Sequence, residues 1–162
     1  MSSQIRAIYQ AVAALPLVVP QPGGNLVPPA YTLEAAPRQV EAAMLPCRVI
    51  MPYTPRGEGR DWSFIALGTL AKVTWRVSDM LLWRPIASGL GPEDVAGVLI
   101  DYVGHAADVL RQHRSLGLAQ THITGARYTY GTFFYPEQSD SAFLGVTIEL
   151  DIEEVLSGCQ TT

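Results

Sequence analysis

Phe143-Leu-Gly-Val-Thr-Ile-Glu-Leu-Asp-Ile-Glu-Glu-Val155 is the stretch that sets the fold class. Val146, Ile148, Leu150 and Ile152 alternate with Thr147, Glu149, Asp151 and Glu153, the period of two of a strand with one apolar and one polar face. Upstream, Ile123 to Tyr135 is rich in Thr, Tyr and Phe, and the polar segment Pro136 to Ser141 joins the two runs, which predicts an antiparallel hairpin. The same alternation occurs earlier. Ala71, Val73, Trp75 and Val77 face one way and Lys72, Thr74 and Arg76 the other, after which Met80 to Trp83 continues as a more fully covered run up to Pro85.

Between these strands lies the strongest helical pattern. Gly91-Pro92-Glu93-Asp94 puts a proline at the first helical position and two carboxylates at the positive end of the helix dipole. Val95, Val98, Leu99, Tyr102, Ala106, Val109 and Leu110 recur at three- and four-residue spacing. Arg111, His113 and Arg114 fall in the last turn and Gly117 follows, so a helix over about 92–114 is expected.

The N-terminal third is less regular. Ser2 or Ser3 caps a short helix through about Leu15, with Ile5, Ile8, Val12 and Leu15 on one face. Pro16 to about residue 31 reads as an extended, proline-rich arm with a turn at Gly23-Gly24-Asn25, lying over its own sheet or, by a slight preference, over a neighbouring subunit. Ala35 to Leu45 holds a short helical turn. Cys47 to Tyr53 is then a strand with Val49 and Met51 on one side and Arg48 and Ile50 on the other. The charged loop Thr54 to Asp61 separates it from Trp62 to Leu67, suggesting a long hairpin between those two runs. The whole is a single domain of 1–162: a helix (1–15), an arm (16–31) and a core (46–156). Its class is α+β, a mainly antiparallel sheet with both helices packed on one face.

Composition narrows the function classes. Of 162 residues 48% are hydrophobic and 16% charged, and mean hydropathy is +0.16, which points to surface covered by partners. A net charge of −4 leaves no basic footprint for gripping nucleic acid. Ala7 to Leu33 carries no charge, but Pro16, Pro20, Pro22, Pro28 and Pro29 break it well short of a membrane span, and with Arg6 as its only nearby cation it makes a poor leader; synthesis in the cytoplasm is expected. Cys47 and Cys159 show neither disulfide-framework nor zinc spacing and read as free thiols.

No nucleophile elbow, phosphate loop or zincin motif is present, and neither cysteine has a neighbouring group that flags a lowered thiol pKa, so no enzyme, cofactor or metal is expected. Asp101, His105 and Asp108 share the polar side of the long helix, where a solvated face with local charge pairs is favoured over a metal half-site. Two features read as surfaces. Glu149, Asp151 and Glu153, extended by Glu154, form an acidic strand face. That is either plain solvent exposure or a channel wall beside which DNA slides without adhering. Arg56, Glu58 and Arg60 lie on a charged loop suited to docking onto another ring. In a reading of another class, a small-molecule-binding or hydrolytic domain, Trp75, Tyr128, Tyr130 and Phe134 line a pocket.

Taken in order, these elements resemble the tail-terminator proteins of long-tailed bacteriophages. The resemblance runs through the N-terminal helix and proline-rich arm, Leu45-Pro46-Cys47-Arg48-Val49-Ile50 with Pro52, and Val73-Thr74-Trp75-Arg76-Val77 with Asp79-Met80-Leu81-Leu82. It continues through the long helix, Tyr128-Thr129-Tyr130 and Gly145-Val146-Thr147-Ile148-Glu149-Leu150. It covers most of the chain by pattern and order. It implies a non-catalytic virion protein of the tail or neck, assembled in the host cytoplasm as a hexameric ring. The ring caps the tail-tube protein and joins it to the head–tail connector, while DNA passes through without specific binding and no membrane is involved. Other neck, head-completion and minor tail proteins share this order of elements.

Overall fold

Among the described residues the alternating apolar stretches build one six-stranded sheet. The structure, a computed structural model, describes residues 4–32, 34–51, 62–67, 70–86, 89, 91–135 and 138–157. In chain order the elements are α1 (Ile5–Ala13), β1 (Ala30–Thr32), a 3-10 turn (Ala42–Met44), β2 (Cys47–Met51), β3 (Trp62–Leu67), β4 (Leu70–Pro85), α2 (Pro92–Gln112), β5 (Thr121–Tyr135) and β6 (Gln138–Ser157). The sheet order is β1-β2-β4-β6-β5, with β3 also paired to β4. Among the described residues every strand pairing is antiparallel except the short β1–β2 contact. The α+β class, the mainly antiparallel sheet and the two helices are as the periodicities predict.

Both helices pack on one face of the sheet. Ile8 and Val12 of α1, and Val95, Leu99, Tyr102, Ala106, Val109 and Leu110 of α2, share a core with Val73, Trp75, Val77 and Leu81 of β4 and with Val146, Ile148, Leu150 and Ile152 of β6. Each such fully buried aliphatic side chain is worth about 1.5–3 kcal/mol of transfer free energy. The charge-free arm is explained here. Leu15, Leu17 and Val19 dip at alternate positions into that same core, so this part of the arm covers its own sheet and not a neighbour. Val19 and Leu26 then exchange backbone hydrogen bonds, and the turn between them lies at the surface.

The opposite face is only half wet. Around β2 it carries a second core of Val40, Cys47, Val49, Met51, Met80, Leu82, Tyr135 and Phe143, covered by Tyr31, Ala36, Met44 and Leu45. β2 is therefore buried on both sides. β4 shows the transition along its length, alternating through Val77 and then buried continuously through Trp83.

One sequence expectation is corrected. β2 and β3 do not pair with each other. They lie end to end along one edge of β4, β2 finishing opposite Ser78 and β3 starting opposite Trp75. Both runs are apolar, so each is drawn to β4, the central strand, instead of to its sequence neighbour. The hairpin partner of β3 is β4.

The registers align into rows that cross the whole sheet. Ala30 pairs with Arg48, Arg48 with Leu81, Leu81 with Val146 and Val146 with Tyr130. A second row runs Thr32–Ile50–Asp79–Ile148–Tyr128. Where β4 bulges at Trp83, Gly145 lets β6 approach closely: a Cβ there would stand 1.9 Å from the Leu81 carbonyl oxygen.

Candidate functional site

The predicted acidic row lies on the sheet face opposite the helices, since each of its residues alternates with a core position of β6. It is not a bare acidic wall. Glu153 pairs with Lys72 Nζ at 2.6 Å, Asp151 with Arg76 Nε at 3.1 Å and Glu149 with Arg127 Nη1 at 3.1 Å. The cations come from the strands on either side, two from β4 and one from β5, so the row is a three-rung ladder with no net charge. Each rung is partly exposed and worth at most about 1 kcal/mol.

Glu154 is not an extension of that row. Adjacent residues of a strand face opposite ways, and Glu154 points to the helix side, where it is fully buried. Its Oε1 accepts the Gln4 backbone N–H at 2.8 Å and its Oε2 accepts Trp75 Nε1–H at 2.9 Å. A carboxylate thus sits at the N-terminal end of α1, where the helix dipole favours negative charge. Ser2 and Ser3, the expected caps, lie outside the described residues.

The C-terminal end of α1 meets the opposite charge. Arg48 is 1% exposed, and its Nη1 donates to the carbonyl oxygens of Ala13 (3.4 Å) and Leu15 (3.2 Å). Its Nη2 donates to Val12 O at 3.0 Å and to Asp79, while Nε donates to both Asp79 oxygens at 3.2 Å. All of the guanidinium's N–H groups are engaged, so none is left for a substrate anion. Burial works against the Arg48 charge, and Asp79 outweighs it, holding the pKa above its ordinary value. The Tyr102 hydroxyl of α2 lies close enough to feel both charges without a well-formed hydrogen bond. Burial, with Asp79 adding to it, pushes its pKa up. This centre organises structure, tying α1, β2, β4 and α2 together. Its sequence signal is a single charge inside each of two apolar runs, Arg48 in Cys47–Met51 and Asp79 in Val77–Trp83.

The other candidates separate. On α2, Asp101 is exposed, Asp108 pairs with Arg111 at 3.5 Å, and His105 Nε2 donates to the Pro16 carbonyl at 3.2 Å, pinning the arm to the helix. Among the described residues no group of three His, Cys, Asp or Glu is placed to hold a metal. Arg56, Glu58, Arg60 and Cys159 lie outside the described residues. Cys47 is buried, which pushes its thiol up to about 11. Among the described residues no helix is long and apolar enough to cross a membrane.

The aromatic set is not brought together as one pocket. Trp75 is in the core beside Glu154, in the ladder row of Ile152 and Ile123, whereas Tyr128, Tyr130 and Phe134 line one side of β5 several rows away. Tyr128 is half-buried, and Tyr130 and Phe134 are exposed. What the alternation did not reveal is that β5 ends the sheet. Among the described residues its outer edge has no partner strand. No protein family, curated protein or solved structure matches the chain.

Proposed function

We propose that this chain is a structural subunit of a bacteriophage neck, a tail terminator that assembles head to tail into a hexameric ring. The ring caps the tail tube, meets the head–tail connector and lets DNA pass without binding it specifically. The observation that carries the reading is a pair of edges, β1 and β5, on opposite sides of one sheet. Neither carries a charged residue over 26–32 or 128–135, the chemistry of surfaces that are covered in an assembly. A contact between two different edges is heterologous, and heterologous contacts that close make rings. The resemblance of the element order to tail terminators supplies the biological setting.

The charge ladder supports the passage in a form different from a bare acidic wall. Lys72, Arg76 and Arg127 are each occupied by a carboxylate, so they do not offer themselves to phosphates. In this reading Glu149, Asp151 and Glu153 act by neutralising their neighbours. A head-completion or minor tail protein would use the same surfaces against a different ring. Negative-stain imaging of the purified protein tests the proposal: six-fold rings with an open centre are expected, and a field of closed dimers or of single subunits at every concentration contradicts it.

A further inference from the structure

We infer that the joint between copies is a continuation of the sheet, with the β5 edge of one copy pairing antiparallel against the β1 edge and adjoining arm of the next. The inference rests on the ring reading for closure alone; the contact itself is argued from register, direction and exposure.

Register comes first. The row Ala30–Arg48–Leu81–Val146–Tyr130 starts at one free edge and ends at the other, so Ala30 and Tyr130 stand at the same height on opposite sides of the subunit. A neighbour added beside β5 without axial displacement brings its Ala30 next to Tyr130 and its Thr32 next to Tyr128. Both members of each pair belong to the helix face, a small side chain beside a large aromatic one. Direction agrees. β1 runs parallel to β2, and β2, β4, β6 and β5 alternate, so β1 and β5 point opposite ways and join as a regular antiparallel pair.

Exposure agrees as well. The most exposed large apolar residue of the arm is Val27, at 70%, and those of β5 are Tyr130 at 49% and Phe134 at 56%. Counting back from the Ala30–Tyr130 row, Val27 falls level with Phe133 and Leu26 with Phe134, so one contact covers the bare apolar positions of both edges. Pro28 and Pro29 lack an N–H and the Thr32 carbonyl already accepts the Ala35 N–H, so the hydrogen-bonded ladder is confined to Ala30 and the Thr32 N–H, with side-chain packing beyond it. A two-fold β5–β5 contact would also pair the edge, but it leaves Val27 uncovered and closes at two copies.

The test is cross-linking in a Cys159→Ser background, where buried Cys47 is the remaining native thiol. A chain carrying both Ala30→Cys and Tyr130→Cys, treated with a short bismaleimide, is expected to give a ladder of covalent multimers, and either single variant none. Dimers from Tyr130→Cys alone overturn the inference in favour of the two-fold contact. Absence of cross-links in a protein that still forms rings overturns the joint and leaves the ring reading standing. A ladder that does not stop at six keeps the joint and removes the hexameric reading. Val27→Asp and Phe134→Asp, at positions exposed in the single chain, give an independent check. Each is expected to raise the concentration for half-assembly at least ten-fold with an unchanged melting temperature of the subunit, and unaltered assembly by both overturns the inference.

Discussion

Arg48 and Asp79 form a buried, diagonal ion pair across β2 and β4, and the same guanidinium caps the C-terminal carbonyls of α1. With Glu154 at the other end, a short amphipathic helix is held by a negative charge at its N-terminus and a positive charge at its C-terminus. Nine residues are too few for a helix to be stable alone in water, so α1 owes its existence to these clamps and to the burial of Ile8 and Val12.

Arg48→Met is therefore expected to destabilise the fold by about 3–5 kcal/mol, because it strands the Asp79 charge and the α1 carbonyls together. Adding Asp79→Leu removes the stranded charge and recovers part of the loss, though not the helix cap. Urea denaturation midpoints measure both variants, and a single-variant loss below about 1 kcal/mol would contradict the assignment.

Stability falls in alkali through Cys47. Its folded pKa of about 11 exceeds the unfolded value of 9.0, so the unfolded chain releases the thiol proton first. The contribution is fully present below pH 9 and is lost as pH rises to 11, roughly 2–3 kcal/mol in all. The difference in stability between the native protein and Cys47→Ala, followed from pH 8 to 11 by denaturant titration, is expected to shrink across that window. A constant difference refutes it.

Gly145→Ala places a methyl group against the Leu81 carbonyl, a backbone atom that cannot rotate away. Separating the strands at the bulge costs about 3 kcal/mol or more. A drop in melting temperature of many degrees is expected, and a wild-type melting curve would show that β4 and β6 are farther apart than described.

Glu149→Lys combined with Asp151→Lys sets like charges against Arg127 and Arg76. A loss of about 1–2 kcal/mol, reduced by added salt, follows from replacing two attractive rungs with repulsive ones. The sequence pattern alone would treat this as a neutral surface change, so calorimetry at low and high salt separates the two accounts.

Most of the fold was readable because its strands are either half-buried or long. The alternation in Ala71–Val77 and Val146–Ile152 and the three-to-four spacing from Val95 to Leu110 are direct imprints of one-sided burial. What was not readable depends on partners distant in the chain. The alternation puts Glu154 in phase with Ile152 on the apolar side, but nothing local shows that its partner is the end of a helix 150 positions away. The end-to-end placement of β2 and β3 follows from their shared attraction to β4, which a strand pattern does not encode. The acidic row was legible as a row, but its cations alternate on other strands, so its neutrality emerges only from the register. The β5 aromatics looked like core or pocket because strand spacing does not say which strand is an edge.

The central claim, an assembling structural subunit joined through its two sheet edges, is tested most directly by the absolute mass in solution. Light scattering across a dilution series is expected to show a species of six times the 17.6 kDa chain that gives way to the single chain in Phe134→Asp. A wild-type protein that stays at 17.6 kDa at every concentration, or a hexamer indifferent to Phe134→Asp, contradicts it.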